Sequence, residues 1–131
     1  VDRHITWAGQ QANIPDLLGA MDAYVLPSEE ESFPLSILEA MAANLPVIAT
    51  SVGGIPECIE PHQNGNLVAP RDPIALSNAL APLVQSAELR HRWGSHGRMM
   101  AQRCYSTAGQ TAKTAELFRR VLQRRKLRSA A

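Results

Sequence analysis

The sequence predicts an α/β fold in which a parallel sheet is covered by helices on both faces. Short apolar runs of strand length alternate with longer segments of helical periodicity, as in consecutive strand–helix–strand units. The strand-like runs are short and mainly apolar, which is typical of strands buried on both faces. With 131 residues and 45% hydrophobic content, the chain suffices for one domain with a real core.

The elements are predicted in a regular order along the chain. Strands are expected at 4–8, 23–26, 46–50 and 66–69. Helices are expected at 14–22, 34–44, 73–85, 89–100 and 111–127, with a single turn at 56–59 and a break at 106–109. We treat the whole chain, 1–131, as a single partial domain with a core at 1–86 and C-terminal helices at 87–131.

Local signals set several of these boundaries. Pro34 suits a helix start because its missing N–H is harmless in the first turn. Asn44 can end that helix in the left-handed conformation that glycine usually takes. Asn64-Gly65 is a tight-turn signal before the last strand. The predicted buried stripes consist of Leu35, Leu38 and Met41 or Ala42 in helix 34–44, and Ala75, Leu76, Leu80 and Leu83 or Val84 in helix 73–85.

The charges are divided along the chain. Residues 1–89 hold two basic residues and eleven carboxylates, a net charge of −9, whereas residues 90–131 hold eleven basic residues and one carboxylate, a net charge of +10. Such a division can indicate nucleic acid or an anionic membrane. The favoured interpretation is mutual attraction of the two halves or a basic helix that faces water, so no nucleic acid partner is predicted.

Cysteine and histidine spacing indicates neither a disulfide framework nor a metal site. Cys58 and Cys104 are expected to be free thiols in a reducing cytoplasm. His91 and His96 are five positions apart, which suits a shared helix face poorly, so no metal is predicted. No apolar run approaches the roughly 20 residues that cross a bilayer. The expected location is cytoplasmic.

The ligand site is predicted at the carboxyl ends of the strands, in the loops 9–13, 27–33 and 51–55. The amides at 33–36 begin a helix, where unpaired donors and the helix dipole favour a phosphate. Glu39 would lie about one turn, ~6 Å, inside that helix, and Glu31 lies before it. A carboxylate on each side of a phosphate cradle suits a nucleotide-diphosphate sugar, which has hydroxyls at both ends.

The stretch PSEEESFPLSILEAMAANLPVIAT (27–50), followed by VGGIPE (52–57) and NGNLV (64–68), resembles the donor-binding domain of a known family. It is similar to the C-terminal, Rossmann-like half of retaining GT-B glycosyltransferases of the group 1 type. This group includes many enzymes of lipopolysaccharide, capsule polysaccharide and glycolipid biosynthesis. The resemblance runs from about residue 5 to residue 84 and becomes general from residue 87 onward.

The resemblance implies a role for each candidate residue. Glu31, the catalytic candidate, would bind donor sugar hydroxyls near the reacting carbon, and Glu39 would bind the ribose hydroxyls. The donor-binding residues would be Ser32, Phe33, Pro34, Leu35, Ser36, Glu39, Gly53 and Gly54. The two glycines would let the backbone approach the ligand. Transfer with retention is implied, and no metal or other cofactor is expected.

The sequence departs from the family pattern at two positions. Ser32 stands where relatives usually carry glycine, so its side chain could crowd the phosphates or contribute a contact. Asn44 replaces a glycine at the helix end, which is a benign change.

The resemblance also implies two further strand–helix units before residue 4, with the basic residues that pair with the diphosphate, and a separate acceptor domain. The missing initiator methionine agrees with this expectation. We therefore expect the isolated chain to bind the donor weakly and not to turn over. Strand 23–26 would have an unpaired edge, which predicts either rearrangement of strand 4–8 or a homo-oligomer formed by strand exchange.

The basic C-terminal segment has two interpretations. An apolar stripe of Ala115, Leu117, Phe118, Val121 and Leu122 could pack on the domain or on a partner domain. The basic residues Arg119, Arg120, Arg124, Arg125, Lys126 and Arg128 could instead make a peripheral contact with the inner face of the membrane.

Three alternatives to the transferase interpretation stay open. One is a nucleotide-sugar epimerase of GT-B architecture, although no histidine lies on the predicted ligand loops. Another is a non-catalytic module that oligomerises or binds nucleotide. In the third, the run 29–31 is simply a solvated charge cluster at a loop tip. For the transferase, the partners would be a nucleotide sugar and an acceptor glycan or lipid.

Overall fold

The computed structural model describes the backbone of residues 2–129 and the side chains of residues 3–123, and it confirms the α/β fold. The strands β1 (Tyr24–Leu26), β2 (Val47–Thr50) and β3 (Gly65–Val68) form a parallel sheet in the order β1-β2-β3. The helices are α1 (Ile14–Gly19), α2 (Leu35–Ala42), α3 (Pro73–Gln85), α4 (Ala87–Tyr105) and α5 (Thr107–Ser129). Single 3-10 turns occupy Asp2–His4 and Ile55–Glu57.

Both faces of the sheet carry a hydrophobic core, because alternate residues of β2 point to opposite faces. Val47 packs with Met41 of α2 in one cluster. Ile48 packs with Leu83 of α3 and Trp93 of α4 in the other. All four residues of β2 are buried, which explains why its sequence is apolar without alternation.

Helix α4 lies across the amino ends of the strands. A Cβ added at Gly94 would lie 1.9 Å from the carbonyl oxygen of Asn44, which connects α2 to β2. On either side of this close approach, Trp93 joins the α3 core cluster and Ala101 joins the α2 cluster. Helix α4 therefore covers the amino ends of the strands, and its last residue, Tyr105, reaches the loops at their carboxyl ends.

The predicted strand at 4–8 is wrong. Asp2–His4 forms a 3-10 turn, and the residues that follow have no regular structure before α1. Trp7 is 90% exposed. Within the described residues β1 pairs with β2 alone, so its other edge is unpaired, as expected, but the segment 4–8 does not rearrange onto it. An extended segment without a pairing partner leaves its backbone groups to water.

The predicted buried stripe of helix α2 also needs correction. In α2 the buried residues are Ile37, Ala40 and Met41, whereas Leu35 is 67% exposed. Leu35 is the first residue of α2, because Pro34 is the N-cap and not the first helical residue. The α3 stripe is confirmed, since Leu83 is buried with Ala75, Leu76 and Leu80 packed on the same core, whereas Val84, the alternative to Leu83, is 77% exposed.

The C-terminal helices are longer than predicted, and Ser106 alone separates α4 from α5. The apolar stripe of α5 does not pack on the rest of the described chain: Leu117, Phe118, Val121 and Leu122 are 53–63% exposed. Arg119 and Arg120 pair with Glu116. The predicted roles of Arg124, Arg125, Lys126 and Arg128 lie outside the described side chains. Within the described residues, no helix has the length and apolar character that spanning a membrane requires.

Candidate functional site

Helix α2 begins at the carboxyl edge of the sheet with a free amino end. Its N-cap, Pro34, is buried and extended, with φ −78° and ψ 111°, and no side chain caps the helix. Among the described residues, no group accepts a hydrogen bond from the amides of Leu35 and Ser36. Unpaired amides at a helix start are suited to an anion. The amides of Leu35 and Ser36 thus have no partner among the described residues, and the phosphate cradle at 33–36 stays a prediction.

Thr50, at the carboxyl end of β2, holds the base of the loop that precedes α2. Its hydroxyl donates to the carbonyl of Ser28 at 2.6 Å, and Thr50 is 3% exposed. A buried hydroxyl needs such a partner. No role was predicted for this residue, although a threonine that ends an otherwise apolar strand was a signal.

The glycine pair at 53–54 packs two loops of the site together. Gly53 has φ +53°, and a Cβ there would lie 1.6 Å from the carbonyl oxygen of Glu31. The amide of Gly54 donates to the carbonyl of Ser32 at 2.7 Å. The close approach that requires glycine is therefore an approach to the backbone of the Glu31 loop. The predicted approach of these glycines to a ligand stays a prediction.

The three glutamates of the loop have different environments. Glu29 forms an ion pair with Arg71 at 2.6 Å, with both side chains exposed, and Glu30 is exposed. Glu31 is half-buried, and its carboxylate accepts a hydrogen bond from the Ser32 amide at 3.3 Å. The interpretation as a solvated charge run thus fits Glu29 and Glu30, whereas the carboxylate of Glu31 bonds the amide of the next residue, Ser32.

Glu39 lies beside a hollow between α1 and α2. The cavity has a volume of about 390 Å³ and is lined by Ile14, Pro15, Leu18, Gly19, Glu39, Ala42 and Ala43. Glu39 is exposed, so its carboxylate needs no partner within the protein. Glu39 is the charged member of an otherwise apolar lining. Glu31 does not line this cavity, so the two carboxylates do not share this hollow.

Tyr105, the last residue of α4, contacts the loop before α2 and the turn that follows the glycine pair. Its hydroxyl donates to the carbonyl of Glu57 at 2.7 Å, and its ring lies 6.0 Å from that of Phe33, centroid to centroid. Burial raises the pKa of Tyr105 to about 12, with the neighbouring Cys58 adding to the effect. Burial also raises the pKa of the Cys58 thiol. The sequence analysis assigned no role to Tyr105.

The described residues contain no cluster of three or more histidine, cysteine or carboxylate side chains that could hold a metal ion. Cys58 is buried and Cys104 is half-buried, and both are free.

Comparison with known proteins identifies the family. The family model described as glycosyl transferases group 1 matches residues 1–100. The chain is 37% identical over 98 residues to the N-acetyl-alpha-D-glucosaminyl L-malate synthase of Bacillus anthracis, covering 75% of this chain and 26% of that protein. It is 34% identical over 121 residues to the D-inositol 3-phosphate glycosyltransferase of Streptomyces coelicolor, covering 91% of this chain and 26% of that protein.

The fold is similar to that of Alr3699/HepE from Anabaena, which was solved in complex with UDP. The TM-score is 0.85 at 26% identity, over 89% of this chain and 32% of that protein. This chain spans about a quarter of the length of the curated relatives. From the family match and the GT-B architecture, we conclude that the chain belongs to the group 1 glycosyl transferases.

Proposed function

We propose that this chain forms the donor-binding part of a longer enzyme, which transfers a sugar from a nucleotide-diphosphate sugar to an acceptor glycan or lipid with retention of configuration. The observation that carries the proposal is the uncapped amino end of α2, with Glu31 before it and Glu39 one turn inside it. The complex of HepE with UDP supports a nucleotide ligand for this fold.

In this proposal the nucleoside occupies the hollow between α1 and α2. Its apolar walls suit a base, and the exposed carboxylate of Glu39 accepts hydrogen bonds from the ribose hydroxyls. A hollow of about 390 Å³ falls within the ordinary size of a small-molecule site.

The diphosphate would then bind at the amides of Leu35 and Ser36. The partial positive charge at the start of α2 stabilises the negative charge that develops on the leaving diphosphate. The Ser32 amide now donates a hydrogen bond to the Glu31 carboxylate. A phosphate oxygen would compete for this amide, and Glu31 would then be free to accept hydrogen bonds from the sugar hydroxyls at the reacting end. These steps use no metal.

The isolated chain is expected to bind the donor weakly and not to turn over. Arg71, a basic residue near the carboxyl edge, forms an exposed ion pair with Glu29, which competes with a diphosphate for its charge. The remaining positive charge would come from the rest of the longer enzyme. A cytoplasmic location with a peripheral membrane contact through α5 belongs to the same proposal.

Calorimetry of the full-length protein with UDP, GDP and their sugar-bearing forms tests the role assignment. Glu39→Ala should weaken binding of the bare nucleotide about tenfold, as expected for loss of a charge-assisted hydrogen bond. Glu31→Ala should weaken the sugar-bearing form and spare the bare nucleotide. Glu30→Ala, an exposed carboxylate of the same loop, is the matched control. Equal and negligible effects of Glu31→Ala and Glu39→Ala would contradict the proposal.

A further inference from the structure

Two loops of the candidate site are connected to the end of α4 through Tyr105. One is the 3-10 turn Ile55–Glu57, which directly follows the glycine pair and whose last carbonyl accepts the Tyr105 hydroxyl. The other is the stretch that leads into α2, where the Phe33 ring packs on the Tyr105 ring. Tyr105 is distant from both loops in sequence, so its position is set by the packing of α4.

Phe33 and Gly54 complete a closed set of contacts. A Cβ added at Gly54 would lie 2.8 Å from the Phe33 ring, so the ring lies directly on the glycine. The Gly54 amide also donates to the carbonyl of Ser32, the residue before Phe33. Each loop therefore touches the other as well as Tyr105. A shift of the tyrosine would be transmitted to both.

We propose that Tyr105 is a positioning residue, which holds the Ser32–Phe33 backbone and the Gly53-Gly54 loop in the geometry that receives the donor diphosphate. The inference rests on the proposed function. The amides of Leu35 and Ser36 follow Phe33 within three residues, and hydrogen bonds to phosphate weaken steeply when donors lose their alignment. The hollow beside Glu39 is lined by α1 and α2 without Phe33, so nucleoside binding depends less on the tyrosine.

The geometry distinguishes positioning from a general structural role. If Tyr105 only stabilised the fold, its loss would change the unfolding midpoint but would leave the relative affinities of the folded protein for different nucleotides unaltered. If it positions the diphosphate cradle, a variant should lose affinity for a nucleoside diphosphate and keep affinity for the monophosphate.

The test measures the binding of UDP, UMP, GDP and GMP to the full-length protein by calorimetry. In Tyr105→Phe, which removes only the hydroxyl, we expect affinity for the diphosphate to fall about fivefold and affinity for the monophosphate to stay within about twofold. Tyr24→Phe is the matched control, because Tyr24 is also half-buried against the core and its hydroxyl has no hydrogen-bond partner among the described residues. Tyr24→Phe should bind all four nucleotides like the wild type.

Equal losses for diphosphate and monophosphate, or no loss for either, would overturn the positioning role while leaving the nucleotide site intact. A wild-type protein that binds neither diphosphate would instead refute the proposed function, and the inference with it. If circular dichroism shows that Tyr105→Phe does not fold, the same calorimetry on Phe33→Leu tests the positioning role. The same selective loss is then expected from removal of the ring contact, and unchanged diphosphate affinity would refute the role.

Discussion

Replacing Gly54 with alanine should push apart the two loops of the donor site. The added Cβ would lie 2.6 Å from the Ser32 carbonyl oxygen and 2.8 Å from a Phe33 ring carbon. Carbon and oxygen tolerate a separation of about 3.3 Å, so the loops must separate by about 0.7 Å. Gly54 has φ −85°, which alanine adopts readily, so the effect is steric and not conformational.

The expected destabilisation follows from the contacts that the separation breaks. The bond from the Gly54 amide to Ser32, now 2.7 Å, would lengthen beyond the usual limit of about 3.2 Å and lose about 1 kcal/mol. Overpacking adds about 1–3 kcal/mol. The smaller entropy of the unfolded alanine chain offsets about 0.4–1 kcal/mol of this. The free energy of unfolding should therefore fall by about 2 kcal/mol.

Urea unfolding followed by circular dichroism measures the stability, and calorimetry with UDP or GDP measures the site. Because Ser32 and Phe33 move with the loop, we expect diphosphate affinity to fall together with stability. Gly97→Ala, in helix α4, is the control. The nearest atom to its added Cβ would be the Met41 Cγ at 3.4 Å, which is an ordinary contact distance. Wild-type stability and affinity in Gly54→Ala would refute the argument that this glycine exists for close loop packing.

Two further outcomes follow from the same contacts. Gly94→Ala should lower the free energy of unfolding by about 3 kcal/mol or more, because its Cβ would lie 1.9 Å from the Asn44 carbonyl oxygen. Urea unfolding measures this loss. A loss no larger than that of Gly97→Ala would contradict the packing of α4 on the α2–β2 connection. The pKa of Tyr105 is raised from 10.0 to about 12, so the unfolded chain loses this proton first and stability should fall from pH 10 to pH 12. Tyr105→Phe should show a shallower fall over that window, and parallel stability curves would exclude the shift.

The sequence predicted the elements whose signals are local. The strands β1, β2 and β3 were predicted from short, mainly apolar runs bounded by turn residues. The end of α2 was predicted from Asn44, which has φ 68° as expected. The start of α2 was predicted to within one residue from Pro34. Each of these features depends on a few adjacent residues.

The features that the sequence did not predict depend on distant neighbours. The segment 4–8 has a strand-like pattern but no strand beside it, and a pattern alone does not supply a partner. The glycines at 53–54 read as a turn, whereas the space that a Cβ would need is occupied by the backbone of Glu31 and Ser32. Tyr105 reaches the site only because α4 crosses the amino ends of the strands and ends near the loops.

Glu39 is exposed, which decides how the effects of its variants can be interpreted. A buried carboxylate would have required a partner within the protein, and its replacement would have disturbed folding as well as binding. The exposed side chain forms no ion pair among the described residues and caps no helix, in contrast to Glu29, which is paired with Arg71. Folding therefore gains little from Glu39, and Glu39→Ala should unfold at nearly the wild-type urea concentration. Because the stability of Glu39→Ala should equal that of the wild type, a loss of nucleotide affinity in this variant can be attributed to binding in the hollow between α1 and α2.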